Sequence, residues 1–324
     1  MKDNNSQIDV SIVAPAFCEG SLVLDFFNAV SDVMNNAGIL YEIIVVDDCS
    51  TDDTWKYISD FCAKNENARG IRLNRNAGSE KALLAGMKYA SGQFIVTMDS
   101  DLQHPPELIP KMYEMIKDGG GGADIIDCIK MKRHPETIIQ KCFTRAFHFL
   151  FYKLTAVDLK NASNFKMFNQ KAVKSLIDME ETDVFLRWQV HRIGLKILSL
   201  PFLPKSRKSG STKYSFMNSI QMAVTFLTAW SSKPLLIIHL FSFLFAALSI
   251  FVFAGIVALY ASKIHIELFW FFILFFCITA AFLFFCMSLI SLYLDKIFRE
   301  VKARPKYIIS QTCGWDKQEN QKKS

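Results

Sequence analysis

No CxxC pair occurs in the 324-residue sequence, whose eight cysteines are scattered at 18, 49, 62, 128, 142, 277, 286 and 313. That scatter suggests neither a structural zinc site nor a disulfide framework. No GxGxxG or GxxxxGK[ST] follows a predicted strand, which argues against a dinucleotide fold and against a P-loop. The opening MKDNNSQIDVSIVAPAF has no long apolar run, so no cleaved signal peptide is expected. No internal repeat is visible, and the one low-complexity patch is Gly119 to Gly122. Charge itself is nearly missing between 234 and 294, whereas 1 to about 215 mixes charged and apolar residues as a soluble α/β protein does. That shift marks a domain boundary.

Two apolar runs fill the charge-poor part, Leu235 to Tyr260 and Leu268 to Leu292. Each exceeds the roughly 20 residues that cross a hydrocarbon core, so two transmembrane helices joined by ASKIHIE are expected. Lys205, Arg207, Lys208, Lys213 and Lys233 precede them, Lys296, Arg299, Lys302, Arg304 and Lys306 follow, and Lys263 stands alone between. Basic residues stay inside, which predicts a multi-pass protein with both ends cytoplasmic. The net charge of +6 gathers beside the membrane. It favours anionic lipid or a phosphorylated lipid as partner, and no nucleic acid is expected. Residues 138–156 and 215–232 are apolar and basic at helical spacing, a pattern that suits the membrane interface and an ordinary core-facing helix alike.

In the soluble part, VSIVAPAF, YEIIVV, GIRLN and QFIVTMD read as strands. Between them SLVLDFFNAVSDVMNNAG, WKYISDFCAKN and SEKALLAGMKYA read as helices. Such alternation implies βαβ units and a mostly parallel, Rossmann-like sheet, whose ligands bind beyond the carboxyl ends of the strands. PAFCEG, DDCSTDDT and DSDLQHPPE all fall at such ends. In a regular strand Asp99 and Asp101 would point to opposite faces, so the chain must leave strand geometry after Asp99 if both are to meet one ion. Pro105 and Pro106 mark the break. Two carboxylates with the Gln103 amide oxygen suit Mg²⁺ or Mn²⁺ held partly by substrate phosphates, and taken alone the motif also suits a solvated acidic turn.

In that order, PAFCEG, VVDDCSTDDT, RNAGSEKALLAG and MDSDLQHPPELIP resemble the nucleotide-sugar half of inverting GT-A glycosyltransferases of family 2. RKSGSTKYS, SSKPL, the two spans and YLDKIFREVKARPKYII are similar to the polyprenyl-phosphate type, the dolichol-phosphate mannose synthase and bacterial GtrB enzymes. The resemblance covers about 10 to 310. It implies a cytoplasmic GT-A catalytic domain over 1–214, an amphipathic juxtamembrane helix over 215–233, spans within 234–294 and a basic tail over 295–324. It implies Pro15, Phe17, Glu19, Asp47, Asp48, Asp99 and Ser100 at the nucleotide sugar, with Asp47 on the base. Asp99, Asp101 and Gln103 would hold the metal, and Lys130, Arg145, Arg207, Ser211 and Lys213 the acceptor phosphate.

The sequence departs from the family in NASNFKMFNQ, where relatives tend to have Asp-Phe-Arg and this chain has Asn164, Phe165 and Lys166. Asp101, Asn164 and Lys166 are the expected catalytic residues. A phosphate monoester has a second pKa near 6 and is already largely dianionic at neutral pH, so the missing carboxylate need not abolish transfer. The expected reaction moves a hexose from a nucleotide sugar, UDP-glucose ahead of other UDP-hexoses and GDP-mannose, to undecaprenyl or dolichyl phosphate. A catalytically weakened relative that binds nucleotide sugar or a partner subunit is the alternative, and Phe-rich spans are compatible with a homo-oligomer. FLRWQ contains Arg-Trp but lacks the Gln of the QxxRW motif, against a processive polysaccharide synthase.

Overall fold

A computed structural model describes residues 8–117, 122–131, 163–179, 184–205, 268–302 and 304–315, with Lys153, Glu181 and scattered positions from 243 to 258. Two compact units make up the chain. The first carries strands β1 (Val10–Ala16), β2 (Tyr41–Asp47), β3 (Ala68–Leu73), β4 (Phe94–Thr97), β5 (Ile125–Lys130), β6 (Lys166–Asn169), β7 (Ile197–Phe202) and β8 (Ile309–Cys313). Its helices are α1 (Leu22–Ala37), α2 (Thr54–Cys62), α3 (Ser79–Tyr89), α4 (Ile109–Lys117), α5 (Gln170–Ile177) and α6 (Leu186–Arg192).

The strands form one sheet in the order β7-β5-β6-β4-β1-β2-β3-β8. β4, β1, β2 and β3 run parallel, as the alternation predicts. β6 is antiparallel to both β4 and β5, and β8 is antiparallel to β3, so the whole sheet is mixed. Because the chain runs outward from β1 through β2 and β3 and then returns to β4 on the other side, the switch point lies between β1 and β4. Ligands of open α/β sheets bind at that crevice.

Side chains of successive strand residues point to opposite faces, and the core divides accordingly. Val10, Ile12 and Ala14 of β1 pack with Phe26, Phe27 and Val30 of α1 and Met112 of α4, whereas Val13 packs with Leu83 and Ala85 of α3 and Ala172 of α5. Helices therefore cover both faces, which explains why β1 and β2 are buried along their whole length. Helix α3 lies so close to the sheet that a Cβ on Gly86 would collide with Val13.

β8 corrects the expectation of a plain basic tail over 295–324. Its register sets Gly70 against Cys313 and Arg72 against Gln311, and Trp315 beyond it meets the Tyr89 ring edge-on. In the second unit a helix spans Leu268–Val301, and its part Ile278–Val301 is long and apolar enough to cross a membrane, with mean hydropathy 1.9. Phe276, Phe284 and Phe285 on it are exposed. Phe245, from the earlier apolar run, stacks on Phe282 at 4.2 Å. The amphipathic stretch 215–232, and 138–156 apart from Lys153, lie outside the described residues.

Candidate active site

Three loops leave the carboxyl ends of β1, β2 and β4, and each contains a non-glycine residue with positive φ: Cys18 (54°), Cys49 (63°) and Leu102 (58°). Among the described residues no other non-glycine residue has this conformation. Such backbone costs on the order of 1 kcal/mol or more and persists where surroundings enforce it, commonly at functional sites.

The enforcing bonds join the loops. Ser50 Oγ accepts from Cys18 N at 2.9 Å, and Thr54 Oγ1 accepts from Glu19 N and Gly20 N at 3.1 and 2.9 Å. Ser100 Oγ donates to Pro15 O at 2.8 Å, which ties the β4 loop to β1. Phe17 stands at the mouth with 45% of its surface exposed.

The two aspartates that end β2 are enclosed. Asp47 Oδ1 accepts from Ser50 N at 3.0 Å, and its Oδ2 makes no hydrogen bond but lies 3.2 Å from Arg72 Nε. Asp48 accepts from Ala77 N at 2.7 Å and Gly78 N at 2.8 Å, so both its oxygens hold the loop that starts α3. Burial raises the Asp48 carboxyl pKa against those two bonds. Asp47, Asp48 and Ser100, the residues expected at the nucleotide sugar, thus also brace the loops.

In the β4 loop, Asp99 N donates to His104 Nδ1 at 3.0 Å and Gln103 N to Asp101 Oδ1 at 3.0 Å. The carboxylates of Asp99 and Asp101 and the Gln103 side chain remain partly exposed. No cluster of three His, Cys, Asp or Glu suited to a metal occurs among the described residues. Two accessible carboxylates and an amide nevertheless fit a hard divalent ion that takes its remaining oxygens from phosphates and water.

His104, which sequence reasoning passed over inside DLQHPP, anchors this loop. It is fully buried, stacks on Phe165 at 5.2 Å and meets the edge of Phe202 at 5.7 Å. Its Nε2 makes no hydrogen bond and stands 3.6 Å from Asp99 Oδ2. Burial pushes the imidazole down from 6.5 to about 4, against the Asp99 charge. A neutral ring accepting at Nδ1 carries its proton at Nε2.

The unfolded chain therefore takes up this proton first as the pH falls. The stability that neutral His104 contributes is complete above pH 6.5 and drains away toward pH 4, a loss on the order of 3 kcal/mol. Melting of metal-free protein between pH 7 and 4 should show this slope, and His104→Gln should flatten it. An unchanged slope in the variant would contradict the assignment.

Of the three expected catalytic residues, Asn164 and Lys166 are both buried and have different partners. Asn164 is buried beneath the β4 end, where its carbonyl accepts from Thr97 Oγ1 at 2.6 Å and its Oδ1 accepts from Arg187 Nε at 2.9 Å. Lys166 is 1% exposed with its ammonium on Asp127, also buried. That ion pair joins β6 to β5, at a residue the sequence reading expected among the catalytic ones. Lys130 ends β5, and its charge helps lower His104. Arg145, Arg207, Ser211 and Lys213 lie outside the described residues. Glu80 and Arg187 also went unread. Glu80 was inconspicuous in RNAGSEKA, and Arg187 was weighed only as part of an incomplete QxxRW.

Residues 11–176 match the family model described as glycosyl transferase family 2. The chain is 27% identical over 319 residues to a Bacillus subtilis protein named uncharacterized glycosyltransferase YkcC, covering 95% of each. It is 26% identical over 310 residues to undecaprenyl-phosphate 4-deoxy-4-formamido-L-arabinose transferase of Klebsiella pneumoniae, covering 93% of this chain and 92% of that one. Glucosyl-3-phosphoglycerate synthase from Mycobacterium tuberculosis, solved with Mn²⁺, UDP and phosphoglyceric acid, overlays with TM-score 0.48 and 19% identity, over 69% of this chain and 78% of that one. The matched residues take in slightly more than half of the sequence and run from β1 into α5 through all three loops: the chain belongs to glycosyl transferase family 2 and is a glycosyltransferase.

Proposed function

We propose that this glycosyltransferase moves a hexose, with UDP-glucose the favoured donor, to a polyprenyl phosphate at the cytoplasmic membrane face, with inversion at the anomeric carbon. The observation that carries the reading is the junction of three strained loops at the β1/β4 switch point, with Phe17, Asp99 and Asp101 open at its mouth. The undecaprenyl-phosphate transferases named among the relatives support the acceptor class. The exposed phenylalanines of Leu268–Val301 support a two-helix membrane hairpin with the run before it.

In this reading Phe17 stacks on the base and Asp99, Asp101 and Gln103 hold Mg²⁺ or Mn²⁺. A bound divalent ion offsets charge that builds on the departing nucleoside diphosphate. The acceptor phosphate needs no general base, because its dianion already predominates at neutral pH. Direct displacement by one of its oxygens then inverts the anomeric carbon. Basic residues Lys130, Arg145, Arg207 and Lys213, with Ser211, complete the charge balance around the acceptor.

A weakened relative that binds donor without transfer is the second reading, favoured by one observation: Asn164 stands where relatives tend to have Asp. Thermal shift of the full chain in detergent tests donor binding, which both readings require. One UDP or GDP sugar at about a hundredfold excess over Kd with Mn²⁺ should stabilise by about 2.7 kcal/mol. No shift with any nucleotide sugar would remove both readings.

A further inference from the structure

Arg187 is the second residue of α6, and its Nε is held by Asn164 Oδ1 at 2.9 Å. Two more bonds set where the guanidinium stands. Thr97 Oγ1 donates to Asn164 O at 2.6 Å, which fixes Asn164 to the carboxyl end of β4. Leu186 N donates to Glu80 Oε2 at 3.1 Å, which fixes the first turn of α6 to that of α3. Through Asn164 the Arg187 Nε is thus tied to Thr97, the last residue of β4, the strand that leads into the loop of Asp99 and Asp101.

Among the described residues, the terminal nitrogens of Arg187 make no hydrogen bond or ion pair, and the side chain is partly exposed. Glu80, the neighbouring carboxylate, spends one oxygen on Leu186 N, and burial raises its pKa. A guanidinium anchored through Nε keeps its two-nitrogen fork for a planar pair of acceptor oxygens, the geometry that phosphate offers.

We infer that Arg187 is a phosphate-binding residue of the transfer site and that Asn164 is its positioning residue. The inference rests on the proposed transfer reaction, and the phosphate belongs either to the donor diphosphate or to the lipid acceptor. It also gives the departure at 164 a purpose. A neutral amide orients Nε and leaves the guanidinium charge intact. An aspartate there would form an ion pair with Arg187 and compete with phosphate. Asn164→Asp is therefore expected to weaken phosphate binding, although it restores the residue more usual in relatives.

The test is calorimetric titration of the full chain in detergent with UDP plus Mn²⁺ and, separately, with farnesyl phosphate. Arg187→Ala should weaken at least one ligand about tenfold in protein that still melts cooperatively. Loss of farnesyl phosphate places the fork at the acceptor, loss of UDP places it at the donor, and loss of both places it between them. Arg187→Lys keeps the charge without the fork and should fall between wild type and Arg187→Ala, which covers the case of an alanine variant that folds poorly. Asn164→Ala and Asn164→Asp should each weaken the same ligand about threefold or more. Unchanged binding of both ligands by Arg187→Ala, or tighter binding by Asn164→Asp, overturns the inference and leaves the transfer reading standing. Wild-type protein that binds neither ligand overturns the transfer reading as well.

Discussion

Asp101→Ala is expected to lower kcat/KM for sugar transfer by about 10²- to 10³-fold while the protein stays folded. Electrostatic stabilisation of developing charge is usually the largest contribution to such transfers, and loss of one well-placed group costs on the order of 10²- to 10³-fold. Asp101 is partly exposed in the loop after β4, and an ion held there would offset the charge on a leaving diphosphate. One oxygen accepts from Gln103 N, a bond worth about 1 kcal/mol. Initial rates over a Mn²⁺ titration, read beside melting temperature, check both halves. Activity within tenfold of wild type would contradict the metal assignment.

Lys166→Met is expected to cost about 3–5 kcal/mol of stability, because it strands the buried Asp127 carboxylate without its counter-charge. Burial already depresses the Lys166 pKa, and the Asp127 charge holds the proton on. If the pair is structural, apolar replacement of both residues should recover most of the loss. Denaturant melts of the single and double variants measure this. A variant that melts like wild type yet transfers no sugar would return Lys166 to the catalytic group.

The comparison of these two residues shows what sequence could and could not reveal. Asp101 was legible because strand periodicity ends at a known point and two prolines follow, so the loop's place at the sheet edge came from local pattern alone. The ion pair of Lys166 was not legible because its partner Asp127 lies on β5, 39 residues earlier, and nothing local announces that β6 inserts antiparallel between β4 and β5. β8 escaped for the same reason. Its short segment ISQTC lacks the apolar alternation of a core strand, and it pairs with β3 on the opposite side of the sequence. Asp48 and Ser100 were expected at the ligand because the motifs that contain them resemble those of the family. Which of them face inward depends on the loop-to-loop bonds, which composition does not encode. His104 illustrates the converse: its burial follows from Phe165 and Phe202 closing over it, two residues far away in sequence.

The apolar helix that contains Ile278–Val301 was legible at once, since length and lack of charge suffice. The family also emerged from sequence, as the ordered motifs of the first half. What stayed hidden was the use made of Asn164. Read against relatives it is a missing carboxylate, whereas in the fold it is the partner of Arg187 Nε.

The most direct measurement is transfer of radiolabelled sugar from a panel of UDP and GDP sugars to undecaprenyl phosphate by the purified full chain with Mn²⁺, with the anomeric configuration of the product read by NMR. One donor should yield a lipid-linked sugar of inverted configuration, in a reaction stopped by chelation and by Asp101→Ala. Absence of lipid-linked product with every donor, in protein shown by thermal shift to bind one of them, would contradict transfer and leave a binding protein.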